Sequence, residues 1–118
     1  PKEIEMAIRS ARDLFPTKKL TIVFQPHLFT RTRDFMSDFA HALSAADKVL
    51  LLPIYPAREL PIQGVNSQSL LNEITCVEKS LCAKEKVIEE VSDSALLMTL
   101  GAGDIDTLIE PIKVYLKR

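Results

Sequence analysis

Hydrophobic positions along this sequence alternate between two spacings. Ile4, Ala7, Ile8, Ala11, Leu14 and Phe15 recur at i, i+3 and i+4 with charges between them, which predicts a helix over residues 3–15 that Pro16 ends. Pro1 suits a first-turn position of that helix. Four compact runs follow: Leu20-Thr21-Ile22-Val23-Phe24, Lys48-Val49-Leu50-Leu51-Leu52, Ile74-Thr75-Cys76-Val77 and Ala95-Leu96-Leu97-Met98-Thr99-Leu100. They are almost continuously apolar, as strands covered on both faces are. Helical spacing returns between and after them: at Phe35, Met36, Phe39, Ala40 and Leu43; at Leu70 and Leu71; at Val87, Ile88 and Val91; and at Ile105, Leu108, Ile109 and Ile112. Strand–helix alternation of this kind predicts an α/β fold with a mainly parallel sheet, right-handed crossovers and flanking helices.

Ser67 is the expected N-cap of a helix over 68–73, and Asp104 that of the last helix. Pro111 falls inside that last helix, where a proline costs about 3 kcal/mol, so a kink or restart is expected there. The one long connection, residues 53–66, carries Pro53, Pro56 and Pro61 and should be an extended, stiffened loop. Neither an internal repeat nor a domain boundary is visible, so residues 1–118 read as one domain. The chain opens on Pro1 without a methionine, from which a fragment, a processed product or an excised piece is expected.

Composition narrows the classes of function. A hydrophobic share of 47% and a charged share of 26%, with only three glycines, describe a globular chain rather than a disordered one. A net charge of −1 gives no global attraction to nucleic acid or to an anionic membrane, so neither is an expected partner and charge-driven recognition must be local. No apolar run approaches the ~20 residues of a membrane span, and no signal peptide is expected. Cys76 and Cys82 have no metal-type spacing with either histidine and read as buried or incidental thiols of a reducing compartment; no metal site is expected in this chain.

Local chemistry gathers where the predicted strands end. Ligands of open parallel sheets bind beyond the carboxyl ends of the strands. Those ends lead here into Gln25-Pro26-His27-Leu28-Phe29-Thr30-Arg31-Thr32-Arg33-Asp34, Ile54-Tyr55-Pro56-Ala57-Arg58-Glu59 and Gly101-Ala102-Gly103-Asp104. His27 and Arg31 share the first segment. The arginine fork suits a carboxylate or phosphate, and a neutral histidine adds one hydrogen bond or accepts a proton. The free N–H groups of the helix that follows are expected to face the same place, completing an anion site. Arg33 either joins that site or pairs with Asp34 or Asp38. Tyr55, Arg58 and Glu59 either contact a polar ligand or form a self-contained ion pair. His41 reads as a surface or packing residue. The amino ends carry Lys18, Lys19, Asp47 and Lys48, which read as solvated loop charges.

Several chemistries are excluded. Gly101-Ala102-Gly103 follows the last strand and has Asp106 where a dinucleotide fingerprint needs its third glycine, which argues against a nicotinamide site. There is no G-x-x-x-x-G-K-[ST] loop to cradle a triphosphate and no G-x-S-x-G elbow. The first strand ends in Gln25-Pro26-His27, without the acidic residues of a receiver domain. The sixth residue beyond Cys76 is Cys82, not the arginine of a cysteine phosphatase.

Taken together, Phe24 to Asp34 closely resembles the Q-P-H-x-[YF]-[ST]-R-T-R segment of the UDP-N-acetylmuramate–L-alanine ligases, a branch of the Mur ligase family. Leu52-Pro53-Ile54-Tyr55-Pro56-Ala57-Arg58-Glu59, with Pro61, Ile62, Gly64 and Val65, is similar to that family's second loop. Gly101-Ala102-Gly103-Asp104-Ile105 is similar to its terminal glycine motif, and Pro1-x-Glu3-Ile4 to the tail of D-Y-x-H-H-P-T-E-[IV]. The four motifs occur in order along the whole chain. Position 28 is often Arg in the family and is Leu here; position 2 is usually Thr and is Lys here.

The resemblance implies a Rossmann-like three-layer C-terminal domain of a three-domain, cytoplasmic, ATP-dependent ligase of peptidoglycan synthesis. Its N-terminal domain would hold UDP-N-acetylmuramate and its central domain ATP and Mg2+, with this domain closing over both to admit L-alanine. The residue matching Arg31 would bind the alanine carboxylate with that matching His27 beside it. Tyr55 and Glu59, together with Gly101, Ala102, Gly103 and Asp104, would form a rim facing substrate. No catalytic residue of its own is implied for the chain, and alone it would be inactive. A stand-alone, non-catalytic anion-binding or interaction module of the same fold is the alternative, and a ligase that recycles murein peptides is a third reading.

Overall fold

A computed structural model of the chain describes residues 2–76, 78–90, 96–101 and 112–116. Helix α1 (Lys2–Leu14) leads into strand β1 (Leu20–Gln25), followed by α2 (Phe29–Asp34), α3 (Met36–Leu43) and β2 (Lys48–Leu51). Then come α4 (Ser67–Glu73), β3 (Glu78–Leu81), a single 3-10 turn (Lys84–Lys86), α5 (Val87–Glu90), β4 (Leu96–Gly101) and β5 (Ile112–Leu116). The strands form one sheet in the order β3-β2-β1-β4-β5, parallel throughout except for the β4–β5 pair.

Burial explains why the apolar runs are continuous. All six residues of β1 are buried, because the central strand is covered on both faces. Leu20, Ile22 and Phe24 face one layer, together with Ile4, Ile8 and Ala11 of α1, Phe39 and Leu43 of α3, and Leu70 and Leu71 of α4. Helix α3 packs between α1 and α4 in that layer. Val23 and Leu50 point the other way, against Leu52, Cys82 and Val87. The result is the expected three-layer α/β arrangement. Each large side chain taken fully out of water contributes roughly 1.5–3 kcal/mol.

Four expectations are corrected. The third strand, expected over 74–77, is Glu78–Leu81; residues 74–76 are not in a strand, and Val77 lies outside the described residues. Ile74 is the C-cap of α4 and is buried in the core, while all four strand residues are exposed at the sheet edge. The N-cap of α4 is Asn66, whose side chain accepts from the Ser69 N–H while the Ser69 hydroxyl accepts from the Asn66 N–H, a reciprocal capping box. Ser67 instead lies inside the helix and donates its hydroxyl to the Leu52 carbonyl at 2.5 Å. The helical stretch after β1 is two helices, broken at Phe35 (φ −118°, ψ 19°). Ile112, read as the end of the last helix, begins β5 and pairs with Leu100. The predicted N-cap Asp104 and the expected kink at Pro111 lie outside the described residues.

Candidate functional site

The order β3-β2-β1-β4 makes the carboxyl ends of β1 and β4 the place where successive connections leave in opposite directions. That is the crevice where open α/β sheets take their ligands. Gln25, the last residue of β1, is in register with Gly101, the last of β4. The two segments picked out by sequence therefore leave the sheet side by side. Ala102, Gly103 and Asp104 lie outside the described residues.

Residues 26–32 form a turn held by several backbone hydrogen bonds. The Tyr55 N–H donates to the Pro26 carbonyl at 2.9 Å, and the Leu28 N–H donates to the Tyr55 carbonyl at 2.8 Å. This makes a one-residue parallel bridge between His27 and Tyr55. Their rings stack, with centroids 5.8 Å apart and planes 20° from parallel. The Leu28 carbonyl accepts from the Thr32 N–H at 3.1 Å and from the Thr32 hydroxyl at 2.8 Å. Thr32 is fully buried, so this hydroxyl needs a partner within the protein. Leu28 itself has φ 70°. A non-glycine residue held there costs about 1–2 kcal/mol and persists only where its surroundings over-determine it.

The start of α2 differs from the expectation of free N–H groups. The Glu59 carboxylate reaches across from the 53–66 loop and takes them: Oε1 accepts from the Phe29 N–H at 2.6 Å and from the Thr30 N–H at 3.1 Å, and Oε2 from the Thr30 hydroxyl at 2.5 Å. The Thr30 hydroxyl, against the opposing effect of partial burial and with help from both N–H groups and the charge of Arg33, holds the Glu59 carboxyl below its usual pKa. The turn from Pro56 to Glu59, closed by the Glu59 N–H donating to the Pro56 carbonyl at 2.8 Å with Ala57 at φ 52°, swings that carboxylate back toward α2.

Arg31 stands one residue beyond Thr30, exposed, its guanidinium carbon 5.8 Å from the centroid of the Phe35 ring. The break at Phe35 puts that ring there. Among the described residues no carboxylate pairs with Arg31, so its fork remains available to an anion. Arg33 pairs with the adjacent Asp34 at 2.9 Å in an exposed contact. Arg58 and His41 are exposed on the loop and on α3.

Sequence reasoning grouped His27, Arg31, Tyr55 and Glu59 at one rim, and the structure brings His27, Tyr55 and Glu59 into one bonded unit with α2. It missed Thr30 and Thr32 as the hydroxyls that lock the turn. A threonine four residues after a carbonyl it can bond back to was the available signal for Thr32; no local signal exists for a clamp between residues 30 and 59. Beside the turn, a cleft of about 490 Å3 is lined mainly by Phe29, Leu51, Pro53, Ile54, Leu81 and Cys82. Burial raises the pKa of the Cys82 thiol, and of Cys76, which keeps both as thiols rather than reactive thiolates. No helix among the described residues is long and apolar enough to cross a membrane.

Comparison with known proteins agrees with these motifs. The chain is 52% identical over 115 residues to the UDP-N-acetylmuramate–L-alanine ligase of Phocaeicola vulgatus, covering 95% of this chain and 25% of that protein. It is 49% identical over 116 residues to the ligase of the same name from Cytophaga hutchinsonii, covering 97% of this chain and 25% of that protein. The chain thus spans about a quarter of the length of the curated relatives it matches. The family profile described as "Mur ligase, glutamate ligase domain" matches residues 1–107, and the chain belongs to the Mur ligase family.

Proposed function

We propose that this chain is the C-terminal, amino-acid-admitting domain of a cytoplasmic, ATP-dependent ligase that joins L-alanine to UDP-N-acetylmuramate in peptidoglycan synthesis. The observation that supports this reading is the Arg31 fork, unpaired among the described residues and four positions after His27, on a turn leaving the β1–β4 crevice. An amino acid offers a carboxylate to hold and an amine to leave free. Arg31 supplies a bidentate, charge-assisted pair to the carboxylate, and His27 supplies a further hydrogen bond. The amine is then free to attack an activated lactyl carboxyl. Gly101, in register with Gln25, would end on the same rim.

This chain lacks a loop that fits ATP: no G-x-x-x-x-G-K-[ST] sequence occurs in its 118 residues. Activation of the lactyl carboxylate, with ATP and Mg2+, is assigned to a central domain, and the UDP-sugar to an N-terminal one. This chain's part is to bind and orient the amino acid and to shield it from water. The stand-alone interaction module is the weaker reading, because the relatives named above are all ligases.

Arg31→Ala in the full-length ligase is expected to raise the KM for alanine by an amount equivalent to about 2–4 kcal/mol, the loss of a charge-assisted bidentate pair. Steady-state kinetics over alanine concentration checks it, and an unchanged KM removes Arg31 from the site. Assay with free tripeptide in place of alanine separates this reading from a murein-recycling ligase.

A further inference from the structure

We propose that Glu59 is a positioning residue of the amino-acid site, a clamp that fixes where His27 and Arg31 stand. The inference rests on the reading of that site given above. Both Glu59 oxygens are engaged by α2: Oε1 by the Phe29 and Thr30 N–H groups, Oε2 by the Thr30 hydroxyl. A carboxylate so occupied is a poor direct ligand for substrate, and its charge would repel a carboxylate brought alongside. Its connections are what matter. Four residues before Glu59, Tyr55 stacks on His27 and is bridged to it through the backbone. One residue after Thr30 comes Arg31.

The loop therefore braces the site at two points, Tyr55 against the histidine and Glu59 against the helix that carries the arginine. Between them sits Leu28 at φ 70°, a backbone conformation that needs such bracing. Because Glu59 satisfies the first N–H groups of α2 from within the chain, an incoming carboxylate is left to Arg31 and not to the helix start.

The test uses full-length ligase carrying Arg31→Ala, Glu59→Ala, Glu59→Gln or Thr30→Ala, with KM for alanine, KM for ATP, kcat and thermal midpoint measured for each. Glu59→Ala is expected to raise the alanine KM about tenfold through loss of three charge-assisted hydrogen bonds, with the ATP KM changed less than about twofold. Glu59→Gln keeps an oxygen for the two N–H groups and is expected to recover most of that loss. Thr30→Ala removes one donor and should raise the alanine KM about threefold, which keeps the test open if Glu59→Ala does not fold.

An unchanged alanine KM in the Glu59 and Thr30 variants, with Arg31→Ala impaired, overturns the clamp and leaves the site reading standing. Proportional losses in alanine KM, ATP KM and kcat would mean a merely structural residue and also overturn it. An unimpaired Arg31→Ala overturns the site reading and the clamp with it.

Discussion

A carboxylate ties the chain together near each end of strand β1, and the two do different work. At its amino end Asp47 accepts from the Leu20 N–H at 2.7 Å and from Arg12 at 3.0 Å, while its own N–H donates to the Leu20 carbonyl. Arg12 also bonds the Ala45 carbonyl at 2.8 Å, so one knot joins α1, the start of β1 and the turn before β2. At the carboxyl end Glu59 ties a loop to the first turn of α2. The amino-end knot joins elements that packing already brings together, and no candidate ligand group hangs on it. The carboxyl-end knot holds a strained turn with a histidine and an arginine on it. The same chemical device thus serves cohesion at one end and placement at the other.

The broadest way to break this comparison is to remove what both ends share. Ile22 lies in the middle of β1, fully buried under the helical layer. Ile22→Ala should cost about 2–5 kcal/mol, read from urea unfolding, without favouring either end.

Asp47→Ala sharpens the contrast. It should cost about 1–2 kcal/mol, mostly from the orphaned Leu20 N–H, since the part-exposed Arg12 pair is screened by solvent and contributes less than about 1. Its alanine KM in the full-length ligase should stay at the wild-type value, where that of Glu59→Ala rises. A shifted KM in Asp47→Ala would erase the distinction.

The smallest expected effect is on pH dependence. Asp47's partial burial raises its pKa, but the Leu20 N–H and the Arg12 bond outweigh it and leave the group below its ordinary value. Glu59 is also lowered, by Thr30 first. A lowered folded-state pKa contributes stability that is present above the unfolded value and is lost as pH falls through the folded one. Unfolding midpoints should therefore decline on acidification below the usual carboxylate range, and Asp47→Asn and Glu59→Gln should each flatten that decline. A slope identical to wild type in both variants would contradict the assignment.

How much of this was legible in the sequence follows from which side chains the core dictates. Strands β1, β2 and β4 are buried on both faces, so Leu20 to Phe24, Lys48 to Leu52 and Leu96 to Leu100 announce themselves. β3 is an edge strand that pairs only with β2, and its exposed Glu78, Lys79 and Ser80 carry no apolar signature. Of the apolar run just before it, Ile74 is instead the C-cap that plugs the end of α4. β5 was masked by the helical spacing that reaches Ile112, although Ile112, Val114 and Leu116 also alternate with Lys113 and Tyr115. At the site, His27 and Arg31 were visible because a strand end and a resemblance coincide there. Asp47, read as a solvated charge, was misjudged, and the bonds from the first turn of α2 to Glu59 had no local signal, because the partners lie 27 and 30 residues away.

The left-handed backbone at Leu28 bears on which sequences can drift through this turn. Any side chain is strained there, and valine, isoleucine and threonine, branched at Cβ, more than most, whatever their hydrophobicity. Glycine enters it freely but loosens the unfolded chain, and an unbranched side chain tolerates it while it is braced. Randomising this codon should therefore sort survivors by the shape of Cβ before it sorts them by charge, so that an arginine replaces leucine here at less cost than a valine does.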